Sequence, residues 1–291
     1  MADTNAMADI RGLNISKLAR GFADELLVMK KLVNVTKTKN REIRWYKKTA
    51  GFLDSVDTSG ITASQIANTS FKARPFVVEQ SWTRTSSYVK KFMVESPLIS
   101  LEDIKDSDVN ILATNVRDLV RAVGYQVDIS IYDAITDDSD RQTGASTQDG
   151  WDDTATGNPI LDLLTMAQAI RSYGYDPKGA VVLMNSIEHK HLINYLISVK
   201  GSSVPYTASK LVESGVLMEL LGFKIVVSEI ATTDEVTMFT KDACTWYQFE
   251  PIQTAIIDEP GIGKKVRVWE EGIAVVTDPK AIYKLTDTIT G

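Results

Sequence analysis

The sequence predicts an α+β protein whose body surrounds an α/β insertion, on three observations. Apolar residues recur at steps of three and four from Asp106 to about Ala134, the signature of one long amphipathic helix. From Pro159 to about Cys244 helical and strand-like patterns alternate. From Thr245 onward the pattern returns to the period of two expected of antiparallel strands.

The elements follow in order. Asn14–Val33 reads as a first helix, with Ile15, Leu18, Phe22, Leu26, Met29 and Val33 on one face. Arg41–Lys48, Pro75–Arg84 and Ser86–Glu95 are strand-like, rich in aromatic and β-branched residues. Between the first two, Ala50–Ser70 is a polar excursion too long for an ordinary hairpin loop. The long helix holds Val109, Leu112, Val116, Leu119, Val123, Val127, Ile131 and Ala134 on one face, with Arg117, Asp118, Arg121 and Asp128 off it. At about 1.5 Å per residue such a helix is roughly 43 Å long, a spine for the whole body. Gly124 costs it about 1 kcal/mol, so a bend, a close packing contact or a break is expected there.

Asp133–Asn158 gathers Asp133, Asp137, Asp138, Asp140, Asp149, Asp152 and Asp153 among Gly, Ser and Thr around one cation, Arg141, and reads as a flexible acidic loop. Pro159–Tyr173 is helical, with Pro159 in the first turn and Gly174 placed to stop it. Ala180–Met184 is a buried strand, Ser186–Val199 a helix, and Phe223–Ser228 and Val236–Phe239 are further strands. The final segment turns at Pro260–Gly263, after which Val266, Val268 and Glu270 alternate with Arg267 and Trp269.

Composition excludes several classes. With 291 residues and 44% hydrophobic content, the chain can bury a sizeable core or two interleaved domains. No run approaches the roughly 18 apolar residues that span a bilayer, and MADTNAMADIRG lacks the apolar core of a signal peptide, so a soluble protein is expected. One cysteine, Cys244, permits no internal disulfide and is expected as a small buried hydrophobe. Charge is uneven: Met1–Lys48 carries eleven cations against five carboxylates, a net of +6, which leaves −12 for the rest. Six of those cations lie in Lys37–Lys48. A basic arm on an acidic body suits nucleic acid or the acidic surface of another copy, and a lysine-guarded strand edge is the plainer alternative.

Catalytic signatures are missing. His189 and His191 are the only histidines and point away from one another on a helix, while Glu188 and His191 supply two ligands at most and read as a surface ion pair. Gly261-Ile262-Gly263-Lys264-Lys265 lacks the upstream Gly and the following Ser or Thr of a phosphate loop and reads as a hairpin turn. The Asp137–Asp140 cluster departs from the calcium-loop pattern. No catalytic residue, cofactor or metal site is expected.

The order of elements, together with ILDLLTMAQAIRSYGYD, GAVVLMNSIEHKHLINYL, LMELLGFKIVVSE, VTMFTKDACTWYQFEPIQ and RVWEEGIAVVTDPKAI, resembles the major capsid protein of tailed viruses of bacteria and archaea, the Hong Kong-97 fold. Ser186 stands where that family commonly has Pro. The resemblance implies an N-terminal arm at 1–40, an extended β-ribbon loop at 41–79 and a peripheral domain at 80–158 that holds the spine helix and the acidic loop. It further implies an α/β axial domain at 159–244 and a return to the peripheral domain at 245–291.

The function so implied is assembly into an icosahedral shell around a double-stranded DNA genome, with the chain itself as partner in hexamers and pentamers. Portal, scaffolding and decoration proteins are the further partners of such shells, and no membrane takes part. With a chain that starts at Met1, any scaffold is expected as a separate chain. The expected location is the virion capsid, assembled in the host cytoplasm. Inter-subunit contact falls to Trp45, Lys47, Lys48, Phe52, Leu53, Ile61, Lys72 and Arg74, and contact with DNA or the inner surface to Arg11, Lys17, Arg20, Lys30 and Lys31. Some members of the family join a loop lysine to a neighbour's asparagine, and Lys47, Lys48 and Lys72 are the lysines so placed. An encapsulin-type compartment shell around an enzyme is the alternative, and an α/β enzyme the third reading.

Overall fold

A hydrophobic face on each element decides which layer it joins, and the chain sorts into two compact units. The structure, a computed structural model, describes residues 28–49, 70–74, 83–106, 111–147, 149–153, 155–199 and 219–290. Among these, 28–43, 86–131 and 246–275 form the first unit, and 44–85, 132–245 and 276–290 supply the second.

The first unit holds a five-stranded sheet, β1 (Asn34–Lys37), β11 (Cys244–Glu259), β12 (Gly263–Val276) and β4 (Lys90–Glu95) in that order, with β5 (Ile99–Ser100) also on β12. Of the predicted first helix only its end is described, as the short α1 (Met29–Leu32). After α2 (Leu101–Asp106) the spine is α3 (Ile111–Thr136), continuous through a buried Gly124, so the helix neither breaks nor loses packing there. Leu112, Val116, Val120 and Val123 pack on Ile99, Ile252, Val266 and Val268. Each such side chain contributes about 1.5–3 kcal/mol when buried. Val120 joins the predicted face, whereas Asp128, expected off it, is only 3% exposed. β4 pairs antiparallel with β12 from Arg267↔Glu95 to Gly272↔Lys90. At Gly272 a Cβ would strike the buried Trp246 ring, so the missing side chain admits the indole.

β2 (Glu42–Lys47) and β3 (Thr83–Tyr88) form a two-stranded ribbon. The chain breaks between β3 and β4 at Val89, not at Thr85 as the sequence pattern suggested.

The second unit is a six-stranded sheet in the order β6 (Gln142–Ala145), β13 (Ile282–Thr286), β10 (Glu235–Phe239), β7 (Val181–Met184), β9 (Phe223–Val227) and β8 (Glu219–Leu220). β7, buried at every residue, runs parallel to β9 and antiparallel to β10, while β13 is antiparallel to β10 and parallel to β6. Helix α4 (Pro159–Ser172) begins at Asn158, whose side chain accepts from the Leu161 N–H, and Gly174 at φ 85 allows the turn that follows it. Its Leu163, Met166, Ala167 and Ile170 bury against Val182, Ile225, Met238 and Leu285. Asn185 caps α5 (Ser186–Asn194), which ends in one π-helical turn, Tyr195–Val199.

One expectation is corrected here. The acidic segment is not a loop throughout: it contains β6 and buries Trp151 to 2% exposure. The described residues of 132–158 and 276–290 group with those of 159–245, and β6 and β13 supply edge and interior strands to their sheet.

Candidate assembly site

The basic arm enters the first unit through two carboxylates. Asp128, on α3, accepts from the backbone N–H groups of Val28 at 2.9 Å and Met29 at 3.2 Å, which tethers the chain just where α1 starts. Burial pushes the Asp128 carboxyl above the usual carboxylate range, and the two N–H donors oppose that rise. Lys30 forms an ion pair with the fully buried Glu270 and stands 5.6 Å from the Trp246 ring centroid. Lys30, expected at DNA or the inner surface, is thus paired with a core carboxylate of its own subunit. Lys31 is exposed, and Arg11, Lys17 and Arg20 lie outside the described residues.

The ribbon is rooted in the second unit. Trp45 Nε1 donates to the Val276 carbonyl at 3.1 Å and the Lys48 N–H to the Thr277 carbonyl at 2.9 Å. Lys47 Nζ sits 2.7 Å from Asp138 Oδ1 and 2.6 Å from Asp140 Oδ2. Burial pulls the Lys47 ammonium down, but hydrogen bonds to the two carboxylates outweigh it and hold the group above its ordinary value. Burial also pulls Lys48 down, against the attraction of Asp278. Trp45, Lys47 and Lys48, expected at a neighbour's surface, are thus partnered inside their own subunit. Lys72 and Arg74 are exposed, and Phe52, Leu53 and Ile61 lie outside the described residues.

Sequence reasoning named Asp138 and Asp140 but not their partner, and missed the roles of Asp162 and Glu188. Asp162 is 1% exposed and accepts from Ser146 Oγ at 2.8 Å, the Thr147 N–H at 2.9 Å, Thr147 Oγ1 at 2.6 Å and Trp151 Nε1 at 2.8 Å. The one available signal was an acid in the first turn of a helix. Glu188 is buried and accepts from the Asp234 N–H at 2.7 Å, so it is not the surface ion-pair partner expected for His191. Burial lowers the pKa of His189, and burial with nearby Lys190 lowers that of His191. Cys244 is buried, and 260–262 closes the β11–β12 hairpin, both as expected.

Among the described residues no three His, Cys, Asp or Glu side chains are grouped to hold a metal ion, and no helix is long and apolar enough to cross a membrane. The arrangement instead fixes residues 28–30 and 45–48, which border the segments 1–27 and 50–69 outside the described residues.

A family model described as "Phage capsid protein" matches residues 98–285, more than half of the chain. No curated protein matches it by sequence. Among solved structures, a virus-like particle from Pyrococcus furiosus is similar at 10% identity and a TM-score of 0.64, covering 95% of this chain and 99% of that one. A chain of Mycobacterium phage Che8 is similar at 17% identity and 0.61, covering 91% and 92%, and the capsid of Myoviridae phage XM1 at 13% and 0.59, covering 90% and 91%. With the arm and ribbon root built as above, the chain belongs to the phage capsid protein family and is a major capsid shell protein of the Hong Kong-97 fold.

Proposed function

We propose that the chain assembles as hexamers and pentamers into an icosahedral shell that encloses double-stranded DNA, built in the host cytoplasm. The observation that carries the reading is the capsid-family match over 98–285. The first unit serves as the peripheral domain and the second as the axial domain. The cations Arg11, Lys17, Arg20 and Lys31 face the inner surface, where phosphate contacts weaken with salt. Phe52, Leu53 and Ile61 are covered by a neighbouring copy, with Lys72 and Arg74 against its carboxylates. A portal, scaffold or decoration protein completes the particle.

Sedimentation velocity and negative-stain images of the purified chain test this reading. Pentamers, hexamers or closed shells are the expected species, and a monomer at every concentration overturns it. A second reading, a shell around protein cargo, is supported by the likeness to the virus-like particle. Nuclease-protected DNA inside the particles selects the first, and a co-purifying enzyme the second.

A further inference from the structure

β4 is an edge strand with a self-complementary sequence. In the order β1-β11-β12-β4 it comes last, and no described strand pairs with its outer side. Register fixes which groups lie there. The Ser96 N–H donates to the Val266 carbonyl at 2.8 Å, and the ladder runs on through Val94↔Val268, Phe92↔Glu270 and Lys90↔Gly272. Bonded and unbonded pairs alternate along an antiparallel ladder, so the N–H and C=O groups of Lys91, Met93 and Glu95 point away from β12. This open stretch is bounded at both ends: the Val89 N–H is taken by the Arg41 carbonyl at 2.9 Å, and Pro97 has no N–H to give.

The same three residues share one face of the sheet. Phe92 and Val94 turn to the core beneath α3, which leaves Lys91, Met93 and Glu95 on the other face. Their cross-strand neighbours there are Glu271, Trp269 and Arg267. Lys91 Nζ lies 3.2 Å from Glu271 Oε1, and Arg267 Nε donates to Glu95 Oε2 at 2.7 Å. Between these ion pairs Met93 is 55% exposed beside Trp269.

A lysine alone guards an edge against pairing. Here Lys91 is balanced by Glu95 on the other side of Met93, so the edge fits a copy of itself in one register. Turned antiparallel about Met93, a second β4 sets Lys91 against Glu95 and Met93 against Met93, and every outward N–H and C=O of 91, 93 and 95 meets a partner. Centred on 92 or 94 the pairing loses both charge pairs, and centred on 91 or 95 it opposes like charges. Across the joined sheets the charges alternate, from Arg267 and Glu95 to Lys91 and Glu271 of the second copy.

Resting on the shell reading, we infer that β4 pairs antiparallel with β4 of a second copy about a twofold axis at Met93, which joins two five-stranded sheets into one. A twofold contact closes on itself, so it ties one ring of subunits to the next rather than building a ring.

The test uses Met93→Cys and Lys91→Cys in the full chain, with wild type as control because Cys244 is buried. Residues paired at the axis have Cα atoms about 5.5 Å apart, within disulfide reach, whereas the two copies of residue 91 are separated by roughly 14 Å along the strands. After oxidation of assembled protein, non-reducing electrophoresis is expected to show disulfide dimers from Met93→Cys and none from Lys91→Cys or wild type. No dimer from assembled Met93→Cys, or as much from Lys91→Cys, overturns the contact. Charge reversal decides independently of the thiol. Lys91→Glu is expected to lose closed shells while pentamers and hexamers persist in sedimentation velocity, and Lys91→Glu with Glu95→Lys to regain them. Within the subunit that double change sets like charges beside Glu271 and Arg267, so a role in subunit stability alone makes it worse than the single change. That result, or normal shells from Lys91→Glu, overturns the contact while wild-type assembly leaves the shell reading intact. A wild-type chain that stays monomeric overturns both.

Discussion

Trp151 Nε1 donates to Asp162 Oδ2 at 2.8 Å, and this bond fixes an acidic loop to the first turn of a helix. The same carboxylate takes three more hydrogen bonds from Ser146 and Thr147. Buried carboxylates are tolerated only when so satisfied. Asp162→Ala removes the acceptor and strands those donors, and is expected to destabilise the second unit by about 3–5 kcal/mol. A lowered urea midpoint with a changed Trp fluorescence checks it; an unchanged midpoint shows that water replaces the carboxylate.

Lys47 between Asp138 and Asp140 has a signed dependence on pH. Its pKa is raised in the folded state, so its contribution is complete below the ordinary value of 10.5 and fades as pH climbs through the folded value. Lys48 is shifted down and acts in the opposite direction over the window beneath that value. Lys47→Met should cost about 1–3 kcal/mol at neutral pH. The gap from wild type should then narrow above pH 10.5, as read by chemical denaturation at stepped pH. A constant gap would disprove the clamp.

Lys30 and Glu270 should be strongly coupled. Lys30→Met alone leaves a fully buried carboxylate without its cation and is expected to cost about 3–5 kcal/mol, whereas adding Glu270→Gln recovers part of the loss. A double-mutant cycle measures the coupling. Additive losses would mean that the arm is held by Asp128 alone.

Gly272→Ala sets a methyl group against the Trp246 ring. The expected penalty is about 1–3 kcal/mol, visible as a lower thermal midpoint and altered near-ultraviolet circular dichroism. A wild-type midpoint would show that the indole has room to turn.

Replacing residues 51–69 by a short Gly/Ser turn should leave the far-ultraviolet spectrum of the subunit unchanged, because the described root is held by Trp45, Lys47 and Lys48 within the body. Closed shells should be lost. Normal shells from this variant would show that the segment is dispensable for assembly.

Local order was legible in the amino-acid sequence because it obeys local rules. The period of α3, the buried run of β7, the stop at Gly174 and the turn between β11 and β12 all follow from neighbours a few residues apart. β6 escaped notice because Gln142–Ala145 has little strand propensity and becomes a strand by pairing with β13, about 140 positions along. The capsid family was also readable, from the succession of elements. The anchors were not. Asp128 meets Val28 across 100 positions and Glu270 meets Lys30 across 240, and no local pattern marks a carboxylate for burial. Which lysines face outward was therefore decided by tertiary structure alone: a charge can leave water only where a partner waits, and the fold supplies that partner from a distant part of the chain.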